Sequence, residues 1–214
     1  MRRSYFWAAG VVALLVLTPI ASWSAHDVML GIKAGVNIAN FTGDDVFHNS
    51  SHTGAVAGVF ARYGLSRSWS LQPEALFTMR GAEFAVDDIR TEQHINYFEV
   101  PVLARFGWGH GASFRPSLFA GPSVAFLLKN EIVDGAEINL KGQTGTRDVE
   151  AGAILGAGLE YALGAGDLML DARYEMGLVS WSEDLDVRNS TLSFMLGYGI
   201  PLGESAGSEV EGLR

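Results

Sequence analysis

The sequence contains no cysteine among its 214 residues. This absence excludes disulfide bonds, thiolate nucleophiles, zinc sites built on thiolates and lipid attachment through a cysteine. Long apolar runs are also missing after the N-terminal segment, because no later stretch approaches the ~18 unbroken apolar residues of a membrane helix. Any membrane role of the chain therefore has to depend on strands.

Basic residues are outnumbered, with 15 lysines and arginines against 24 acidic residues and a net charge of −9. Because an acidic chain is repelled by phosphate backbones, no nucleic-acid partner is expected. Hydrophobic residues make up 48% of the chain and aromatic residues 11%, which is ample for one packed or membrane-embedded domain.

The N-terminus has the three regions of a secretory signal peptide. Arg2 and Arg3 are followed by an apolar run over residues 8–17 and then by small residues that include Ser22 and Ser24. An uncleaved membrane anchor is the alternative, but the apolar run is too short for it. We expect a signal peptide over residues 1–24, a barrel domain over residues 25–202 and a polar acidic tail over residues 203–214. Removing residues 1–24 changes the net charge to −11.

An alternating stretch, LGIKAGVNIA over residues 30–39, sets the pattern for the rest of the chain. Its even positions are apolar, while its odd positions hold glycine, alanine, Lys33 and Asn37. Since side chains of a strand alternate between two faces, this stretch predicts a strand with one apolar face. Eight such segments are predicted, over residues 29–39, 54–65, 69–81, 94–107, 113–127, 148–163, 167–179 and 190–202.

Short and long connections alternate between these segments. Residues 66–68, 108–112 and 164–166 form short turns, whereas residues 40–53, 82–93, 128–147 and 180–189 form long loops. Short turns at one end and long loops at the other are typical of bacterial outer-membrane barrels. The predicted fold class is all-β, a single eight-stranded antiparallel up-and-down transmembrane β-barrel with both termini on the short-turn side.

The two faces of the predicted strands differ in chemistry. One face is apolar, with rings near the strand ends that fit interfacial aromatic girdles. The other face collects most strand glycines, which leave room for long neighbours in a narrow lumen. It also carries twelve charged residues that we predict as a lumen charge network: Lys33, Arg62, Glu74, Arg80, Glu99, Arg105, Arg115, Glu150, Glu160, Asp171, Arg173 and Glu175. Six bases and six acids predict a neutralised, plugged lumen rather than an open pore.

Other readings of the same residues stay open. The charges are also compatible with a path for ions or small solutes, and inverted faces would give a soluble secreted barrel that binds a lipophilic ligand. Asp171 and Glu175 share one strand face, but salt bridges are favoured over acid–base catalysis, so neither an enzyme nor a catalytic residue is expected. His48 and His52 near Asp44 and Asp45, and His94 as a base in a lipid-modifying barrel, are weaker alternatives. No metal and no cofactor are predicted.

The predicted long loops are acidic, and we expect them to face the outside of the cell. They contain Asp44, Asp45, Asp87, Asp88, Glu92, Glu131, Asp134, Glu137, Glu183, Asp184 and Asp186. The expected partners are outer-membrane lipid and lipopolysaccharide, whose bridging divalent cations such loops attract, and an unknown protein or surface ligand bound by the loops. The barrel itself is expected to be a monomer.

Six segments carry a family resemblance, in the expected order along residues 30–202. They are KAGVNIANFTGDD, SLQPEALFTMRGA, NYFEVPVLARF, FAGPSVAFLL, DARYEMGLV and LGYGI. Together they resemble the PorT-like, porin-family outer-membrane β-barrel domain of bacteria with two membranes. The resemblance implies an eight-stranded barrel in the outer membrane, but a shared fold does not supply a function.

Overall fold

A computed structural model describes residues 28–42, 50–86, 89–109, 111–134, 136–139, 149–178 and 188–202. Side chains are described in these ranges except at residues 39–42, 50–52, 80–86, 89–95, 129–134, 136–139 and 188–189. The predicted signal peptide and the predicted tail lie outside the described residues. Among the residues described, no helix is long and apolar enough to cross a membrane.

Nine strands form in the described part of the chain, and most are longer than the five or six residues common in soluble sheets. Their bounds are β1 Val28–Thr42, β2 Ser50–Gly64, β3 Trp69–Val86, β4 Ile89–Gly107, β5 Phe114–Asp134, β6 Ala136–Asn139, β7 Val149–Leu163, β8 Gly166–Gly177 and β9 Arg188–Pro201. The alternating apolar and polar positions explain this length. As long as the alternation continues, one face of the strand can stay on the apolar outside and the other in the polar lumen.

The strands close into a barrel. Each long strand pairs antiparallel with its neighbours in the chain, β5 pairs with β7, and β1 pairs with β9 through partners such as Ile32 and Tyr198. The short β6 pairs with β5 and, among the described residues, with no other strand. Strands β1 to β5 and β7 to β9 therefore form a closed eight-stranded antiparallel barrel, which confirms the predicted fold class.

The strands extend further toward the long-loop end than the sequence predicts. The expected loop over residues 82–93 is wrong, since β3 continues to Val86 and β4 begins at Ile89, with these two residues paired. Likewise, β5 runs to Asp134 and is followed by β6, inside the expected loop over residues 128–147. Alternation is absent there because a strand that projects beyond the membrane needs no lipid-facing side, and backbone pairing can extend such a strand without an apolar face.

The apolar face of the barrel points outward. Ile32 and Leu155 are 66% and 63% exposed, whereas Lys33 and Glu74 on the opposite face are buried. In a soluble barrel that binds a lipophilic ligand, these leucines and isoleucines would face inward. That alternative is therefore wrong, and the outer face is an apolar surface of the kind that contacts lipid.

Aromatic rings cluster on the outer face at the short-turn end. The ring of Phe106 lies between those of Trp69 and Trp108 in tilted contacts, with centroid distances of 5.1 and 5.9 Å. Phe114 packs against Tyr161, with ring centroids 4.8 Å apart. These rings form an aromatic girdle at the turn-side interface. Trp181, a ring that the sequence places beside the long-loop end of a predicted strand, lies outside the described residues.

Candidate functional site

Inward-facing side chains from all eight barrel strands meet in the lumen. Eleven of the twelve charged residues singled out in the sequence have described side chains there, and they are fully or largely buried. The twelfth, Arg80, occupies an inward position of β3, but its side chain is outside those described. Asp167 at the start of β8 was missed, although it has the same parity as Asp171 and so could have been found from the alternation.

Lys33 bridges two distant strands in the middle of the lumen. Its Nζ atom lies 2.6 Å from Glu74 Oε1 on β3 and 3.0 Å from Asp171 Oδ2 on β8. Both carboxylates are buried, so each has lost most of its hydration and depends on this contact. Through these two contacts, Lys33 connects β1 with β3 and β8, which lie on opposite sides of the lumen.

Arg105 makes a second cross-lumen connection from β4. Its guanidinium forms an ion pair with Asp171, donates to Gln72 Oε1 at 3.0 Å and donates to Ser117 Oγ at 3.2 Å. The guanidinium also lies 4.6 Å from the centroid of the Phe119 ring. At 2% exposure it is among the largest fully buried side chains of the described chain, and several donors of the guanidinium have a described partner.

Glu74 continues the connections toward the long-loop end. Its second oxygen, Oε2, lies 3.0 Å from Arg173 Nη1, and Arg173 Nη2 lies 3.5 Å from Glu99 Oε1. Gln72 Nε2 donates to Glu74 Oε1 at 2.7 Å, which adds a neutral donor to the carboxylate. One buried carboxylate is therefore shared by two cations from different strands.

At the short-turn end the connections reach the mouth of the barrel. Arg62 Nη1 lies 2.7 Å from Glu160 Oε1, and Arg105 Nε lies 3.8 Å from the same oxygen. Arg115 pairs with Asp167 Oδ2 at 2.5 Å and approaches Glu160 Oε2 at 3.7 Å. Its side chain is 29% exposed, so this end of the network meets solvent.

These contacts form one alternating series of charges, which we call the ion-pair chain. In order, its members are Asp167, Arg115, Glu160, Arg105, Asp171, Lys33, Glu74, Arg173 and Glu99. Arg62 forms a side branch, because it also pairs with Glu160. Every neighbour in the series carries the opposite charge. Removing a fully buried member such as Asp171 would deprive its buried partners of a counter-charge, which typically costs roughly 3–5 kcal/mol.

Hydroxyl and amide groups accompany the acids nearer the long-loop end. Tyr97 donates its hydroxyl to Glu150 Oε1 at 2.6 Å, and Ser123 donates to Glu175 Oε1 at 2.7 Å. Asn37 Nδ2 donates to Thr78 Oγ1 at 2.6 Å. We call this set the upper group; it consists of Asn37, Thr78, Tyr97, Glu99, Ser123, Glu150, Glu175 and Thr191.

Apolar side chains also occupy the lumen, which was not predicted from the sequence. Buried clusters form from Val56, Leu76 and Met195, and from Leu103, Phe119 and Ile154. Glycines make room for some of these rings: a Cβ atom at Gly31 would meet the Phe60 ring, and one at Gly156 would meet the Phe119 ring. The available signal was parity, because each of these residues shares its strand face with a lumen charge or glycine.

The chemistry available to this site is limited by how fully its groups are engaged. Asp171 contacts Lys33 and Arg105, and Glu175 accepts from Ser123, so both carboxylates proposed as an acid–base pair belong to hydrogen-bonded sets. Within the described ranges, no three histidine or acidic side chains are arranged to hold a metal. His48 lies outside the described residues, and the side chains of His52 and His94 are not among those described.

The family follows from a match over most of the chain. The family model described as outer membrane protein beta-barrel domain matches residues 20–183. The chain belongs to this family. It is an outer-membrane β-barrel protein, and its apolar belt lies in the bacterial outer membrane. No curated protein sequence matches the chain significantly.

Solved structures of small outer-membrane barrels are similar in fold. The outer membrane protein OprG from Pseudomonas aeruginosa is 11% identical, with a TM-score of 0.53 over 81% of this chain and 94% of that chain. Neisserial surface protein A is 16% identical, with a TM-score of 0.51 over 80% and 96% of the two chains. Ail, the attachment invasion locus protein of Yersinia pestis, is 18% identical, with a TM-score of 0.49 over 81% and 99%. At these identities the similarity to OprG and to Neisserial surface protein A establishes the fold alone.

Proposed function

We propose that this outer-membrane barrel is not an enzyme, that its lumen is plugged, and that it acts as a structural or surface-interaction protein through its acidic extracellular loops. The observation that carries the proposal is the ion-pair chain, which crosses the lumen from Asp167 to Glu99 through buried charges. Eight strands leave an interior just wide enough for side chains to fill. Lys33, Arg105 and Arg173 each reach a partner on another wall.

Packing beside the ion-pair chain supports a plug as well. The rings of Phe60 and Phe119 lie next to the central cations, with Lys33 Nζ 5.1 Å from the Phe60 centroid. Leu76, Leu103 and Ile154 are also buried in the lumen. A solute would have to displace apolar side chains and separate ion pairs at once, so passive flow through this lumen is strongly disfavoured.

The interaction role rests on sequence. The loop acids attract the divalent cations that bridge lipopolysaccharide, and a loop-borne partner, a protein or another surface ligand, is proposed on the same grounds. The proposal includes a monomeric barrel, secretion with loss of residues 1–24, and the narrower PorT-like membership that the six sequence segments indicate. These acidic residues are outside the described side chains.

Conductance in planar lipid bilayers tests the plug directly. Purified barrel inserted at low concentration should give no steady current steps, and vesicles containing it should not swell in small sugars. Arg105→Ala should lower the urea midpoint of unfolding, because it leaves Asp171 with one cation fewer. Arg67→Ala, which changes an exposed cation of the β2–β3 turn, is the matched control and should leave that midpoint near the wild-type value.

A conducting barrel is the second candidate, favoured by the position of Arg115. Arg115 is a partly exposed member of the ion-pair chain at the barrel mouth. The chain continues inward from it with alternating charges, so exchange of partners along the chain would pass ions without backbone movement. Steady wild-type current, together with an Arg105→Ala variant that alters the current and leaves unfolding unchanged, would replace the plugged barrel with this alternative.

A further inference from the structure

Three neighbouring seams of the barrel, the lines of pairing between adjacent strands, are interrupted. Within the described strands each of them lacks two successive pairs, at residues 61–62 with 72–73 between β2 and β3, 74–75 with 100–101 between β3 and β4, and 102–103 with 121–122 between β4 and β5. The gaps adjoin one another along β3 and β4, so they form one continuous line. Over the ranges that the structure describes, the other five seams pair residue by residue without a gap.

One proline accounts for each gap. Pro73, Pro101 and Pro122 stand inside β3, β4 and β5, and proline has no N–H to donate. Pro73 keeps its pair with Val102 on β4, so its missing donor faces β2. In an antiparallel ladder, losing the bond from Pro73 to the Ala61 carbonyl removes the pair of these two residues and the pair beside it, which is the observed gap. The other two prolines each remove one bond in the same way.

A missing backbone bond matters more here than in a soluble sheet. The gaps begin beyond the aromatic girdle at Trp69 and Phe106, within the apolar belt, where lipid offers no replacement for the bond. Packing across the gaps also has few atoms to offset the loss, since the outward positions hold only small residues. Alternation places on that side Ala61, Pro73, Ala75, Val100, Val102 and Pro122.

Lumen side chains bridge the gaps from the inside. Arg62 and Gln72 occupy opposite positions of the β2–β3 gap, and Arg62 Nε donates to Gln72 Oε1 at 2.8 Å. From β4, Arg105 Nη1 donates to the same oxygen at 3.0 Å. Gln72 Nε2 in turn donates to Glu74 Oε1 at 2.7 Å. The buried side chain of Gln72 therefore joins β2, β3 and β4 where backbone bonds are missing.

We propose that the wall of strands β2 to β5 opens locally while the rest of the barrel stays paired, and that the side chain of Gln72 holds this wall closed. We call the wall the opening panel. Its ladders are already divided at the gaps, so a local opening has to break fewer bonds there than in the continuous seams. The ion-pair chain resists flow along the barrel axis, whereas opening of the panel separates strands sideways, toward lipid.

Amide hydrogen exchange tests the panel, followed residue by residue by NMR on the full-length mature protein in lipid nanodiscs. The antiparallel pattern makes the amides of Ala61, Glu74 and Val102 donors to the carbonyls of the three prolines, so these amides report on the gaps. They should exchange at least roughly tenfold faster than the amides of Ala157 and Ala172, which lie in continuous seams. Equal exchange rates in the two walls would overturn the proposal.

A matched pair of proline variants assigns the opening to the missing bonds. Pro122→Ala restores a donor for the Val102 carbonyl from an exposed outer position, so the amide of Val102 should exchange at least roughly fivefold more slowly. Pro116→Ala is the control and should leave this rate unchanged. Pro116 keeps its pair with Leu159, and its missing donor lies beyond the end of β4. An unchanged rate in Pro122→Ala means that the missing bond does not cause the opening, and the proposal fails.

Gln72→Met tests what holds the panel closed. The change keeps the length of the side chain and removes its hydrogen bonds, so the panel amides should exchange roughly tenfold faster than in the wild type, while those of β7 to β9 keep their rates. Ser123→Ala is the control, because it removes a lumen hydrogen bond to Glu175 that crosses none of the gaps. Equal acceleration in both walls by Gln72→Met would contradict the proposed role of Gln72. Exchange rates do not depend on conductance, so the panel and the proposed plug are judged separately.

Discussion

The two faces of strand β8 follow different rules. Leu170, Ala172 and Tyr174 point outward, where a fluid solvent of acyl chains adapts to any apolar shape. Asp171 and Arg173 point inward, and each meets particular partner atoms on other strands. The outer face therefore constrains hydropathy, whereas the inner face constrains the identity of each residue.

This difference shows where specificity resides in the barrel. An outer leucine can be exchanged for another apolar residue without leaving any group unsatisfied. An inner acid cannot, because its cations stay buried after it is removed. Substitutions on the two faces of the same strands should separate these rules. The quantity to compare is the change in the free energy of unfolding, measured by urea titration of folded and unfolded bands on unheated gels.

Asp171→Asn should have the largest effect. The change keeps the size of the side chain but removes the negative charge between Lys33 and Arg105, so we expect a loss of roughly 3–5 kcal/mol. Asp167→Asn is the control, since its partner Arg115 is partly exposed at the barrel mouth and a solvated pair contributes little. Equal losses in the two variants would contradict the rule that inner partners are specific.

Leu155→Arg should have the next largest effect, from the outer face. Leu155 lies midway along β7 and is widely exposed to lipid, so a charge there should cost roughly 2–4 kcal/mol. Leu163→Arg, at the turn-side end of the same strand, should cost about 0–1 kcal/mol, since charges near the interface are hydrated. A flat dependence on position would mean that the outer face does not lie in lipid.

Gly158→Ala should have an intermediate effect, from crowding the lumen. A Cβ atom there would meet Arg105 Nη2, Asp171 Oδ1 and Ser117 Oγ, so the substitution should cost about 1–3 kcal/mol by displacing the ion pair. Gly107→Ala is the control, because its Cβ would have only ordinary contacts, the nearest at 3.8 Å. An unchanged urea midpoint for Gly158→Ala would show that the pair has room to move.

Alternation, together with the alternating short and long connections, was enough to predict the closed eight-stranded barrel. Parity assigns each side chain to one side of a strand, and the connection lengths indicate an up-and-down order. The alternation also contained Asp167, which was passed over only because it begins a strand. Parity does not reveal partners, however. Lys33 meets Asp171 at a separation of 138 residues, and that contact depends on the stagger of strands around the whole barrel.

The missed lumen residues have a physical explanation too. Phe60, Phe119 and Leu76 are apolar but occupy the charged face, and the assumption of a uniformly polar lumen hid them. An eight-stranded lumen is a packed core, so it needs apolar volume as well as paired charge. The predicted segments for β3 and β4 were too short for a different reason. Beyond the membrane the two faces of a strand do not differ in hydropathy, so the sequence there shows no alternation.

Leu170→Ile should have the smallest effect and sharpens the comparison most closely. The residue precedes Asp171 on β8 and is 54% exposed on the outer face, so an apolar exchange of equal volume meets only lipid. We expect a change below about 0.5 kcal/mol. The matched inner exchange, Met169→Ile, shortens a side chain that is 1% exposed and whose Sδ atom lies 3.2 Å from Arg62 Nη2. It should cost about 1 kcal/mol, because the packed lumen cannot rearrange to fill the cavity that the shorter side chain leaves. On the outer face, acyl chains would fill such a cavity. If the two neighbouring exchanges cost the same, the inner face tolerates substitution as lipid does, and specific packing of the lumen is refuted.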